Sequence, residues 1–315
     1  MSPSTSSAAL KADLVIFANQ IIPVVPHNVV LENHAVVFPT AYASGPAEYF
    51  EKALPFLKQY KNHDLEHNVH INIHLHETQA DSRRVSAASL ICSKTASTSP
   101  LKLRPLANLK RLGLLSERLV CVHMAQLTDQ EIQDVADAQA HVVHCPTSDL
   151  KLAGGVCRVT ELLKSGVNVA IGTEGAFCNN SLNMFAEMKL AAILAKAESK
   201  EPTSVPAAMA LQMATLNGAR AIGLGNEIGS IEVGKRADLV AVECDNIEML
   251  PMYNAISHVV YVAGRENVSD VWINGKHVLA DRKMTTIDEA QVKADVRKWY
   301  SNIREFHASL QQNKN

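Results

Sequence analysis

Apolar residues in the middle of the chain follow two periods. From Val69 to His76 they alternate, with Val69, Ile71, Ile73 and Leu75 on one face and His70, Asn72, His74 and His76 on the other. This predicts a strand with one polar face. Apolar runs at Leu119–Met124, His141–Cys145 and Val167–Thr173 predict three more strands. Helical spacing predicts helices over Pro46–Tyr60, Arg158–Lys164, Leu182–Glu198, Pro206–Leu216 and Ala219–Leu224, with Gly166 stopping the second of these. Thr128 and Glu131 form a capping box that opens another helix, running to about Ala138. Strands alternating with helices, and apolar along their whole length, predict a parallel sheet. Arg83–Leu103 is rich in Ser, Ala and Thr and has no period, which predicts a long loop or weak helix.

The ends follow a different pattern. ADLVIF at Ala12–Phe17 recurs as ADLVAV at Ala237–Val242, and short β-rich pieces follow the second copy: His258–Gly264, Val268–Leu279 and Arg282–Thr286. Asn274-Gly275 between alternating apolar residues is a type I′ hairpin signal. Residues 12–38 and 228–287 are expected to form one small β-sandwich around a middle domain at 39–227; two separate sheets are the other reading. Val292, Val296, Trp299, Ile303, Phe306 and Leu310 fall at helical spacing, predicting an amphipathic helix within 288–315 with a packing stripe.

The chain has 315 residues, 47% of them hydrophobic, and a formal net charge of -2. Without a basic run or aromatic-basic interleaving, nucleic acid and anionic membranes are not expected partners. The start is polar and Ser-rich, lacks the features of a signal peptide, and no stretch is apolar enough to span a bilayer. Cys92, Cys121, Cys145, Cys157, Cys178 and Cys244 show no CxxC and no regular spacing, so they read as buried thiols in a reducing, cytoplasmic compartment.

Chemistry collects at the predicted strand ends. His74 and Glu77 stand at the end of one strand, His123 at the tip of the next, and Glu174 after the last. Imidazoles there can bind zinc, and the Glu77 carboxylate, past the strand tip, could meet a substrate. Glu174 could hold the metal, take a proton from its water, or do both; alone it could be a capping acid for the following loop. His70 and His76 read as a half-buried polar face, and His144 and Cys145 as core residues.

IHLHET, RPLANLKRLGLL, VHMAQLT, VVHCPTSDLKLAGG, the segment from VNVAIGT to NNSLNMFAEMKLAA, MATLNGARAIGL and IGSIEVGKRADLVAV together resemble the amidohydrolase superfamily. Within it they are most similar to the methylthioadenosine/S-adenosylhomocysteine deaminases and related chlorohydrolase-like aminohydrolases. The resemblance implies a metal-dependent (β/α)8 barrel with a β-sandwich built from both chain ends. It also implies replacement of a purine's exocyclic amine by water activated on one divalent metal, usually zinc. By position it makes His74 a metal ligand, Glu77 the substrate-contacting proton shuttle and His123 the water-orienting residue at or near the metal. Glu174 takes the place of the family aspartate, as metal ligand and base in contact with substrate.

Three departures accompany the resemblance. No His-x-His precedes residue 74. The segment between Phe38 and His67 has room for one helix, not several strand–helix units. Glu174 is one methylene longer than aspartate. A complete barrel takes about 250 residues, so 40–225 is expected to be an incomplete α/β barrel that binds metal weakly. Its open edges predict a homo-oligomer. Deamination of an adenosine-like thioether nucleoside is expected to be weak or absent in the isolated chain. A catalytically impaired relative serving as a binding or structural subunit, or a hydrolase of another ring such as guanine, cytosine or a triazine, are the competing readings.

Overall fold

A computed structural model describes residues 70–79, 103–232 and 234–312. The N-terminal sandwich strands, the Pro46–Tyr60 helix and nearly all of the Arg83–Leu103 loop therefore lie outside the described residues.

Two four-stranded sheets organise the rest. The first comprises β1 (Ile71–Leu75), β2 (Leu119–His123), β3 (His141–His144) and β4 (Asn168–Ile171), in that order. Every neighbouring pair is parallel, with Ile73 opposite Cys121, Cys121 opposite Val142, and Val142 opposite Val169. Helices make the crossovers: α1 (Pro105–Arg111), α2 (Asp129–Asp137), α3 (Pro146–Lys151) and α4 (Val159–Lys164). The Thr128–Glu131 capping box is present at the start of α2. After β4 come the short α5 (Ala176–Asn179), then α6 (Met184–Ser199), α7 (Ala207–Met213) and α8 (Leu216–Ala221).

Both faces of this sheet are covered. Ile73, Leu75, Cys121, Val142, Val169 and Ile171 face the helices and join the main core with Leu106, Leu162 and Met213. On the other face, Val120, Val122, Val143, Cys145 and Ala170 pack with Ala221 of α8. Asn217 in α8 fixes that helix to the sheet, donating Nδ2 to the Val169 carbonyl at 2.9 Å. All five residues of β2 are buried, as two-sided packing of a parallel strand requires.

The second sheet is antiparallel: β5 (Leu239–Val242), β6 (Val268–Ile273), β7 (Lys276–Ala280) and β8 (Lys283–Met284). The expected hairpin joins β6 to β7, with Asn274 (φ 50°) and Gly275 (φ 75°) both left-handed, the requirement of a type I′ turn.

One expected strand is instead a helix. His258–Gly264 contributes to α9 (Ala255–Tyr261), where the Asn254 side chain caps the Ser257 amide at 2.9 Å. α9 packs against α7 and α6, and Val260 is fully buried in the main core. The apolar run HVVYV has no intrinsic direction; the cap and the waiting helical face decide its conformation. The C-terminal helix α10 spans Glu289–Gln312 as expected, but Val292, Val296, Trp299, Ile303 and Phe306 are exposed among the described residues. The stripe stays exposed and does not pack closely on either described sheet. Among the described residues, no helix is long and apolar enough to cross a membrane.

Candidate metal centre

The C-terminal ends of β1 and β2 meet at the site. Residue pairing sets His74 opposite Val122 and Leu75 opposite His123. Strict alternation would turn His123 to the helix side with Leu119 and Cys121. A left-handed backbone at His123 (φ 76°) breaks the alternation and brings its Nε2 to 3.2 Å from His74 Nδ1. The two rings meet edge to face, centroids 4.7 Å apart.

Glu77 completes the cluster from beyond the strand tip. Its Oε2 lies 4.0 Å from His123 Nε2, and one ligand atom from each of His74, Glu77 and His123 falls within 4.8 Å of the others. The turn that delivers Glu77 is built. His76 has φ 53°, its Nδ1 lies 3.3 Å from Arg104 Nη2, and its Nε2 lies 3.3 Å from a Glu131 oxygen. Arg104 also grips both oxygens of Glu131, at 2.7 and 2.8 Å. His76 is fully buried rather than half-buried, and it bridges Arg104 and Glu131.

Behind His123 stands Asp149, a residue that the strand-end pattern did not single out. It is fully buried, and its Oδ1 is 2.7 Å from His123 Nδ1. A carboxylate only accepts, so His123 donates from Nδ1 and can present Nε2 to the centre. The other Asp149 oxygen is 3.6 Å from His144 Nδ1. Burial alone would lower the His123 pKa, but the Asp149 carboxylate more than offsets this and holds it above the ordinary imidazole value. Burial also opposes ionisation of Asp149, yet the hydrogen bond from His123 and the nearby His144 ring keep its pKa low. Burial, reinforced by the facing His123, pulls His74 down to about 4. At neutral pH His74 is therefore neutral, as a metal ligand must be.

Glu174 is close enough to affect both histidines electrostatically but lies outside the three-residue cluster. It has φ 60°, and its Oε2 accepts from the Gly175 amide. Burial and the neighbouring Glu174 raise the Cys178 thiol to about 12. A further support was not legible in the sequence: buried Glu187. One of its oxygens accepts from Asn179 Nδ2 at 2.7 Å and the other from the Thr147 amide at 3.1 Å. Asn179 Nδ2 also donates to the Thr173 carbonyl at 2.9 Å, which holds the loop before Glu174. The donor set of two imidazoles and a carboxylate suits zinc and similar divalent metals.

A histidine–carboxylate cluster at the C-terminal rim of a helix-covered parallel sheet is the arrangement of (β/α)-type metal hydrolases. The chain belongs to the amidohydrolase family, whose profile matches residues 11–278. It is 36% identical over 295 residues to a 5-methylthioadenosine/S-adenosylhomocysteine deaminase from Teredinibacter turnerae, covering 85% of this chain and 64% of that one. A protein of the same name from Moorella thermoacetica is 43% identical over 230 residues, 73% of this chain and 51% of the relative. The chain thus spans about half to two thirds of the length of these relatives. Among solved structures it is similar to an adenosine deaminase from Xanthomonas campestris with bound zinc, at 39% identity and a TM-score of 0.73, covering 87% of this chain and 65% of that one.

Proposed function

We propose that the chain is a metal-dependent aminohydrolase that replaces the exocyclic amine of an adenosine-like thioether nucleoside, methylthioadenosine or S-adenosylhomocysteine, with oxygen. The observation that carries this reading is the His74–Glu77–His123 cluster in a chain resembling deaminases of that substrate class. His74 and His123 would hold the metal, zinc in the first instance, with a carboxylate from Glu77 or Glu174. A bound divalent metal would supply Lewis acidity that activates water near neutral pH.

The remaining steps belong to side chains. Asp149 holds His123 in one orientation and tautomer. Glu77 and Glu174 provide two carboxylates that can take a proton from water and return it to the departing amine, so that the amine leaves as ammonia and the ring gains oxygen. Both are read as contacts to the substrate ring. The four parallel strands are read as part of an incomplete (β/α)8 barrel over 39–227. Residues 12–38 and 228–287 are read as one β-sandwich, and the open sheet edges as the basis for a homo-oligomer. Among the described residues Cys121, Cys145, Cys157, Cys178 and Cys244 are free thiols, which favours a reducing, cytoplasmic setting.

The test is ammonia release from methylthioadenosine, S-adenosylhomocysteine and adenosine by the purified chain, with and without added zinc. Slow zinc-dependent release, greatest with a thioether nucleoside, is expected. Release no faster than in enzyme-free controls for all three substrates would overturn the reading.

A further inference from the structure

We infer that Glu187 is a positioning residue of the rim: one buried carboxylate that ties the loop carrying Glu174 to α3, the helix carrying Asp149, and so fixes Glu174 and the support of His123 relative to each other. The inference deepens the aminohydrolase reading above and rests on it for the roles of Glu174 and His123.

The burial itself asks for a reason. Glu187 shares one face of α6 with Ala191 and Ala195 and is 1% exposed. A carboxylate is costly there unless its oxygens find partners. Both oxygens do, and neither partner is a cation. One arm reaches the loop after β4. Asn179 spends one Nδ2 hydrogen on Glu187 at 2.7 Å and the other on the Thr173 carbonyl at 2.9 Å. Its Oδ1 accepts from the Ser181 and Leu182 amides, each at 3.2 Å. Those bonds brace the loop that holds Glu174, whose left-handed backbone (φ 60°) persists only where its surroundings secure it. The other arm reaches across 40 residues to the Thr147 amide at 3.1 Å. Thr147 lies at the start of α3, where the N-cap residue Cys145 offers no side-chain bond. The first amides of a helix lack partners within it, so Glu187 does for α3 what a local cap would do. Asp149 lies in that same first turn, with its Oδ1 2.7 Å from His123 Nδ1. Glu187 thus acts on the chemistry through Asn179 and Thr147.

The test uses the full chain and needs neither metal nor substrate. Glu187→Gln keeps the shape and puts an amide nitrogen in place of one oxygen. Asn179 cannot turn over to meet that nitrogen, because its own oxygen is engaged with Ser181 and Leu182. One arm must break, and hydrogen exchange read by mass spectrometry should quicken about tenfold in residues 145–150 or in residues 173–182. Glu187→Met fills the space without a polar atom and should quicken both segments. It should also shift or broaden the imidazole Nδ1–H proton resonance of His123, assigned by its loss in His123→Gln. Val135→Ala, a buried truncation in α2 outside the network, should leave that resonance in place and single out neither segment. The inference is overturned if Glu187→Gln exchanges as the parent does in both segments, if folded Glu187→Met leaves the His123 resonance unmoved, or if Val135→Ala reproduces the pattern. Should Glu187→Met not fold, exchange in Glu187→Gln decides alone. Absence of ammonia release alongside the expected exchange and resonance changes would defeat the aminohydrolase reading and leave the link between Glu174 and Asp149 standing.

Discussion

The two sheets solve the same packing problem in opposite ways. In the parallel sheet, helices cover one face and α8 with its neighbours the other, so that β2 is wholly buried. In the antiparallel sheet no residue of β5 or β6 is fully buried, and Val240 stands 56% exposed. The chemistry lies on the first sheet. A metal cluster needs side chains held to within a fraction of an ångström, and close packing on both faces provides that rigidity.

The contrast is sharpest in the ion pairs. His123–Asp149 is buried, with His123 1% exposed, whereas His277–Asp270 at 2.8 Å lies near the surface of the antiparallel sheet. Asp149→Ala should destabilise the fold by about 3–5 kcal/mol, because it removes one partner of a buried histidine–carboxylate pair. Asp270→Ala should cost far less, because solvent screens the exposed pair. Urea unfolding of both variants measures the difference, and equal losses would break the comparison.

Core truncation should repeat the pattern at a smaller scale. Leu119→Ala in β2 should cost about 2–4 kcal/mol, and Val240→Ala in β5 about 0.5 kcal/mol. Thermal melts that rank the two in reverse would show that the antiparallel sheet carries more of the stability than its burial implies.

A third contrast involves acid. Glu131 is buried and bound by His76, Arg104 and the Thr128 amide, which hold its carboxyl well below its usual pKa against the opposing effect of burial. A depressed folded-state pKa contributes stability that is complete above the unfolded value, near 4.5, and is lost as pH falls through the folded one. Glu131→Gln should lower stability at neutral pH by about 1.5–3 kcal/mol and flatten its decline below pH ~4.5. Stability profiles over that range, parent against variant, provide the measurement.

The smallest effect is one of reactivity. Burial pushes the Cys121 thiol in β2 up to about 12, while Cys244, beyond β5, is partly exposed. Iodoacetamide near pH 8 should label Cys244 in the native protein and leave Cys121 intact until denaturant is added, as peptide mass mapping would show. Native labelling of Cys121 would mean that the parallel sheet opens readily.

Strand periodicity exposed the parallel sheet and the positions of His74, His123 and Glu174, because side-chain alternation and strand tips are local properties. The Thr128–Glu131 cap was legible for the same reason. The helix at Ala255–Tyr261 was not, since its apolar run fits either conformation until Asn254 and the face of α7 are in place. Asp149 was hidden because its partner lies 26 residues away, across a crossover. The available hint was Pro146 at a helix start just past a strand end, which puts an acid in the first turn above the sheet rim. Glu187, in the middle of an apolar helix, gave no such hint; only the fold shows that it reaches Thr147 and Asn179.

His76, His123, Met124 and Glu174 all carry positive φ, and all sit at the rim where the parallel strands end. For residues with a Cβ such conformations cost on the order of 1–3 kcal/mol each. The rim therefore bears an energetic load comparable to a large share of a typical domain's net stability. Glycine at Glu174 would relieve its share while removing a carboxylate that the proposed chemistry uses, whereas at His76, His123 and Met124 it would also empty buried space.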